Sequence, residues 1–306
     1  MTGSWTIHDA ARALRRPTAA DDKYSRGVLG VRTGSEAYPG AAVLGVEAAW
    51  RTGVGMVRYL GPPRPSALVL ARRPETVTTD GRVQAWTIGS GTIPTSPPAG
   101  AGAPGGASGR VRPAAARDAD ESDALRALLS DTDPVVVDAG ALDLAAGSTA
   151  PRILTPHERE HARLRATIGL APAGHDRVAA ARDTAAATGA VVLLKGATTV
   201  VAAPDGWATV VEVGTPWLAS AGTGDVLAGV IGALVAGAVA DGRAGDAASL
   251  ARLAASGAFL HARAAALASE KFGPRGGPIT ALDVAEALPY AVGEMLALPS
   301  GEGGAA

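Results

Sequence analysis

The segment Ser220-Ala221-Gly222-Thr223-Gly224-Asp225 runs directly into an apolar stretch, Val226–Ala240. Glycines at the mouth of a helix let the backbone approach a ligand closely. The unsatisfied first-turn N–H groups, aided by the helix dipole, then form an anion site. An aspartate there would repel an anion that it touched directly. Its place suits a base beside the anion hole, taking a proton from a hydroxyl that attacks a phosphoryl group. A competing, purely local account has Asp225 capping the helix and the glycines turning the chain. No G-x-x-x-x-G-K-[ST] loop occurs, and Gly53-Val54-Gly55 lacks the third glycine of a dinucleotide loop.

A second constellation points to different chemistry. His157-Glu158-Arg159-Glu160-His161 matches the H-E-x-x-H zinc pattern. Its third ligand is not evident: Leu164 and Thr167 stand where the extended form has glycine and histidine, and the next glutamate after Glu160 is Glu212. Thr155-Pro156 reads as an N-cap followed by a first-turn proline. That puts His157 in the first helical turn and leaves His161 as a solvated helix residue. A zinc metalloprotease is the distant alternative.

Several elements must position these residues. Short β-branched and aliphatic runs at Val28–Val31, Val57–Leu60, Trp86–Ile88, Val135–Val137, Ile153–Leu154 and Val191–Leu194 predict buried parallel strands. Between and after them, Gly40–Thr52, Ser122–Leu129, His157–Arg165, His175–Thr188, Ala221–Ala240 and Ala247–Leu267 predict helices. This alternation predicts an α/β fold, a mostly parallel central sheet with helices on both faces and ligands at the carboxyl ends of the strands. Val200–Ala203 and Thr209–Val213, parted by Asp205-Gly206, predict an antiparallel hairpin. The stretch 94–119, rich in Pro, Gly, Ala and Ser, predicts a flexible low-complexity loop within one domain spanning 1–306, and the C-terminus from Pro299 should fray.

Composition narrows the partners. With 28 Lys and Arg against 29 Asp and Glu, no basic field exists to attract nucleic acid or an anionic membrane. The absence of cysteine excludes disulfides, thiolate metal sites and a cysteine nucleophile, and suits a reducing compartment. Met1–Arg16 carries charges where a signal peptide has an apolar core, and Val226–Ala240 is too short to span a bilayer. A cytoplasmic protein is expected.

The chain resembles the ADP- or ATP-dependent NAD(P)H-hydrate dehydratases of the ribokinase-like superfamily. The resemblance rests on Gly34-Ser35-Glu36-Ala37-Tyr38-Pro39-Gly40-Ala41-Ala42, Asp138-Ala139-Gly140-Ala141-Leu142-Asp143, Ile153-Leu154-Thr155-Pro156-His157, Leu194-Lys195-Gly196-Ala197-Thr198-Thr199 and Ala221-Gly222-Thr223-Gly224-Asp225-Val226-Leu227-Ala228-Gly229, in that order. It implies a ribokinase-like fold and a coenzyme repair reaction. Hydrated NADH or NADPH bears a ring hydroxyl on C6; a nucleotide, ADP more readily than ATP, phosphorylates it with Mg2+, and loss of phosphate restores the coenzyme. The nearest rival is a small-molecule kinase of the same superfamily, which would stop at the phosphorylated product.

By the same resemblance, Asp225 would be the catalytic base, with Gly222, Thr223 and Gly224 as the anion hole. Lys195, Gly196, Ala197, Thr198, Thr199 and Gly224 would hold the AMP part of the nucleotide. Ala41, Gly91, His157 and Asp225 would contact the hydrated dinucleotide. The family often forms homo-oligomers, including tetramers. Its companion epimerase domain is not in this chain, which implies action alone or beside a separate epimerase. Glu158-Arg159-Glu160 stands where the family has Pro-Gly-Glu, Thr215-Pro216-Trp217 where it tends to have Gly-Asn-Pro-Gly, and Thr92-Ile93-Pro94 departs from its more regular loop.

Overall fold

The computed structural model describes residues 3–92, 114–212 and 214–299. Its strands are β1 (Gly3–Ser4), β2 (Val28–Arg32), β3 (Met56–Tyr59), β4 (Ala85–Ile88), β5 (Val135–Val137), β6 (Arg152–Leu154), β7 (Val191–Leu194), β8 (Thr198–Ala202) and β9 (Ala208–Glu212). Its helices are α1 (Ile7–Ala11), α2 (Gly40–Thr52), α3 (Pro63–Arg72), α4 (Ala114–Leu129), α5 (Glu158–Thr167), α6 (Arg177–Thr188), α7 (Thr223–Ala240), α8 (Ala247–Glu270) and α9 (Ala281–Leu296).

All nine strands form one sheet in the order β1-β9-β8-β7-β6-β5-β4-β2-β3. From β3 through β7 every pairing is parallel, and β7–β8 and β8–β9 are antiparallel. Side chains alternate along each strand. In β5, Val136 joins the core beneath α2, α7, α8 and α9, while Val135 and Val137 join the opposite core with Leu125 and Leu129 of α4 and Leu164 of α5. Both faces are thus covered, as the continuous apolar strands require. On the first face α7 crosses α2 at Gly229, where a Cβ would collide with the Gly45 carbonyl. This contact sets the mouth of α7 beside the start of α2.

The parallel strands and the hairpin form where expected, and β5 and β7 match residue for residue. Several boundaries differ. Helix α4 starts at Ala114, inside the stretch expected to be a loop, because Ala-rich sequence is helix-forming however simple its composition; residues 93–113 of that stretch, with Val213 and 300–306, lie outside the described residues. Helix α7 starts at Thr223 rather than Ala221, because Gly222 adopts a left-handed φ of 87° at the N-cap. With 18 residues α7 is long and apolar enough to cross a membrane, contrary to the sequence expectation, but 72% of it is buried inside the fold. Helix α5 starts one residue after His157.

Candidate active site

Four neighbouring parallel strands each deliver one polar residue at or just beyond their carboxyl ends: Ser90 after β4, Asp138 after β5, Thr155 after β6 and Lys195 after β7. They converge on the Asp138 carboxylate, which is 2% exposed. Lys195 Nζ donates to its Oδ1 at 2.7 Å, Thr155 Oγ1 to the same oxygen at 2.7 Å and Ser90 Oγ to Oδ2 at 2.8 Å. Burial alone would raise the pKa of Asp138, but the Lys195 charge and these three hydrogen bonds hold it below the ordinary value. Lys195 shows the mirror effect: burial opposes its charge, yet Asp138, Glu160 and Asp225 hold its pKa above normal. The pair is ionised at neutral pH. The next residue, Ala139, has a φ of 45°, the only left-handed non-glycine among the described residues.

Lys195 also faces the mouth of α7: its Nζ lies 3.4 Å from where a Cβ on Gly224 would sit. Among the described residues no side chain caps α7, which leaves its first-turn amides at Thr223, Gly224 and Asp225 available. An ammonium and a bare helix N-terminus thus meet across one gap, and both favour an anion. Asp225 occupies the third position of α7 and makes no cap hydrogen bond, so the local capping account does not hold. Burial, and after it the negative charge of Asp138, push its pKa up to about 7, with Lys195 partly offsetting them. A carboxyl so tuned can accept and release a proton near neutral pH.

A cavity of about 870 Å³ opens from this gap. It brings together His157, Lys195, Gly196, Ala197, Thr199, Thr223 and Gly224. Thr198 is not on its wall. The Lys195–Thr198 turn is held by Arg177 of α6, which donates to the carbonyls of Lys195 at 3.0 Å and of Thr198, while a Cβ on Gly196 would sit 2.5 Å from the guanidinium. Ala41 and Gly91 meet elsewhere. The Gly89–Gly91 turn lies against the loop into α2, with the Gly34 N–H donating to the Ser90 carbonyl at 2.7 Å. A Cβ placed on Gly91 would sit 2.5 Å from that of Ala41. The Asp225 backbone carbonyl lies 3.5 Å from where a Cβ on Gly45 of α2 would sit.

The H-E-x-x-H pair does not form a metal site. His157 is the N-cap of α5 rather than a first-turn residue: its Nδ1 accepts from the Arg159 and Glu160 amides, and Glu160 accepts in return from the His157 N–H at 2.8 Å. Thr155 cannot cap, because its hydroxyl serves Asp138. His161 is buried at 1% exposure, not solvated, with Nε2 2.9 Å from Thr184 Oγ1 and a pKa pushed down to about 4 by burial. Among the described residues no group of three or more His, Cys, Asp or Glu could hold a metal.

The sequence pattern assigned no role to Asp138, Ser90 or Arg177, and gave Thr155 only that of a helix cap. Asp138 and Thr155 carried a signal, their places in the Asp-Ala-Gly-Ala-Leu-Asp and Ile-Leu-Thr-Pro-His motifs at strand ends.

The family model described as NAD(P)H-hydrate dehydratase (Carb_kinase) matches residues 29–289. The bifunctional NAD(P)H-hydrate repair enzyme Nnr of Mycobacterium tuberculosis H37Rv is 43% identical over 250 residues, covering 77% of this chain and 46% of that protein. The chain therefore spans about half the length of the curated relatives it matches. Among solved structures, the ADP/ATP-dependent NAD(P)H-hydrate dehydratase of Bacillus subtilis, co-crystallized with ATP/Mg2+, superposes with a TM-score of 0.74 at 24% identity, covering 96% of this chain and 99% of that one. A ribokinase-like superfamily protein from Enterococcus faecalis superposes with a TM-score of 0.73 at 19% identity over 96% of each chain. These structures share the fold, and the family match adds the lineage: the chain belongs to the NAD(P)H-hydrate dehydratase family.

Proposed function

We propose that the chain restores hydrated NADH and NADPH by phosphorylating the ring hydroxyl at the expense of ADP or ATP, ADP being the favoured donor, and then eliminating phosphate. The observation that carries this reading is the meeting of Lys195, the uncapped mouth of α7 and a carboxyl tuned to about 7 at one gap. Lys195 and the Thr223 and Gly224 amides hold the transferred phosphoryl group, and Asp225 takes the proton of the attacking C6 hydroxyl. The resulting phosphate ester leaves as phosphate, pushed by the ring nitrogen lone pair, and loss of the C5 proton closes the double bond. Ala41, Gly91 and His157 are assigned to the dinucleotide, and Lys195 to Thr199 to the AMP part of the nucleotide.

A magnesium ion entering with the nucleotide would be held mainly by phosphate oxygens and water. Glu160, whose Oε2 is 3.9 Å from Lys195 Nζ, would be the carboxylate at hand to complete its shell. Such an ion neutralises phosphate charge. We place the reaction in the cytoplasm, with the second activity of the bifunctional relatives left unassigned to this chain. The test is incubation of the purified protein with hydrated NADH, magnesium and ADP or ATP. Recovery of reduced-nicotinamide absorbance that requires the nucleotide is expected; no recovery with either donor sinks the proposal.

A further inference from the structure

The turn that walls the cavity beside Lys195 is governed by a side chain from another element. Arg177 is the first residue of α6, and the Asp176 carboxylate caps that helix by accepting from the Val178 and Ala179 amides. The cap fixes where the Arg177 side chain leaves the helix. Its guanidinium reaches the turn that joins β7 to β8. It donates to three carbonyls there, those of Leu194 at 3.4 Å, Lys195 at 3.0 Å and Thr198. Nε also faces the Glu158 carboxylate at 3.4 Å, but that side chain is 64% exposed, so water screens the pair and the carbonyls are the firmer partners.

A planar fork of N–H donors suits several carbonyls at once. The same fork accounts for Gly196, where a Cβ would lie 2.5 Å from one terminal nitrogen and 2.9 Å from the guanidinium carbon. With its carbonyls given to Arg177, the turn keeps its own donors for other use. The Gly196 and Ala197 N–H groups have no backbone partner among the described residues, and both residues are exposed on the cavity wall. Lys195 is anchored separately, by its N–H to the Pro156 carbonyl at 2.9 Å and by Nζ to Asp138. The part of the turn that depends on Arg177 is therefore Gly196 to Thr198, not the Lys195 ammonium.

We infer that Arg177 is a positioning residue for the nucleotide. It does not line the cavity itself, yet it holds Gly196 and Ala197, which do, in the shape that the nucleotide meets. This rests on the proposed nucleotide dependence and adds to it the residue that pre-shapes the binding turn. A turn already fixed in its binding shape loses little freedom when a ligand arrives, whereas a loosened turn must be ordered at each binding event. Arg177 thus sets nucleotide affinity and leaves the Asp225 chemistry and the dinucleotide contacts alone.

The test is a kinetic split in the whole protein, with ADP or ATP and hydrated NADH varied in turn and nucleotide binding followed by calorimetry. Arg177→Ala should raise KM and Kd for the nucleotide roughly 10-fold, while kcat at saturating nucleotide and KM for hydrated NADH stay near their wild-type values. Arg177→Lys, which reaches fewer carbonyls than the fork does, should recover part of the loss, and it carries the same split should the alanine variant fail to fold. Gly196→Ala should raise the same KM by displacing the guanidinium, and should add little in the Arg177→Ala background. Losses that multiply in the double variant, a fall in kcat with nucleotide KM unmoved, or equal losses for both substrates would overturn the inference and leave the proposed reaction standing. A wild type that binds neither ADP nor ATP overturns both.

Discussion

Two helices begin at the carboxyl edge of the same sheet, a few strands apart, and end up with opposite electrostatics. Helix α5 supplies its own cap: His157 Nδ1 takes two first-turn amides, and Glu160 folds back to the His157 N–H. Helix α7 starts at a left-handed glycine that has no side chain to offer. Its amides stay bare, and Lys195 faces them. A helix N-terminus is therefore an anion site only when its sequence declines to cap it, and a cation opposite makes the difference decisive. At α5 the carboxylate of Glu160 already fills the place that an anion would take.

The largest expected effect comes from the open helix. Asp225→Asn should lower kcat by at least ~10²-fold, the typical worth of a positioned base, while nucleotide affinity measured by calorimetry persists. Lys195→Met should weaken ADP or ATP binding by roughly 10-fold to 100-fold, the range for a charge-assisted hydrogen bond. It should also lower stability, by on the order of 2 kcal/mol in denaturant titration, because Asp138 would stay buried without its cation.

The raised pKa of Asp225 yields two pH effects of opposite sign. As a base it works ionised, so kcat/KM should rise with one-proton slope as pH increases through about 7. For stability, a carboxyl whose folded pKa lies above its unfolded value is best tolerated when protonated, below about pH 4. Its contribution is lost as pH climbs through the folded value near 7. Asp225→Asn should accordingly raise the thermal midpoint at about pH 8 and leave it nearly unchanged at about pH 4.

The smallest effect is expected at the capped helix. Asparagine caps as well as most residues, so His157→Asn should change stability by less than about 0.5 kcal/mol. A few-fold rise in KM for the hydrated coenzyme, with KM for the nucleotide unmoved, would mark His157 as a dinucleotide contact. An unchanged KM would leave it a cap alone.

Legibility in the sequence followed the range of the interaction. Strands β5 and β7 and the hairpin were readable because β-branched runs and an Asp-Gly turn are local signals. The Gly222–Asp225 mouth was readable for the same reason. Asp138 and Lys195 lie 57 positions apart and meet only because β5, β6 and β7 are neighbours in the sheet, an order that no local pattern specifies. Arg177 likewise reaches its turn only through the packing of α6. Helices α3 and α9 were not among the expected elements: α3 starts on Pro63 with Pro65 in its first turn, where proline is tolerated, and α9 carries Pro289 in its interior. His157 was placed one residue too far into α5 because threonine is the commoner cap, and its hydroxyl had a buried carboxylate to serve instead.

The central claim, that the mouth of α7 carries out phosphoryl transfer with Asp225 as base, is tested most directly by phosphorus NMR. Wild type and Asp225→Asn would each be followed with ADP, magnesium and hydrated NADH. The account predicts one orthophosphate released per NADH restored by the wild type, no lasting phosphorylated coenzyme, and almost no ADP consumed by the variant. Orthophosphate release by Asp225→Asn at the wild-type rate, or a phosphorylated product that accumulates without dehydration, would contradict it.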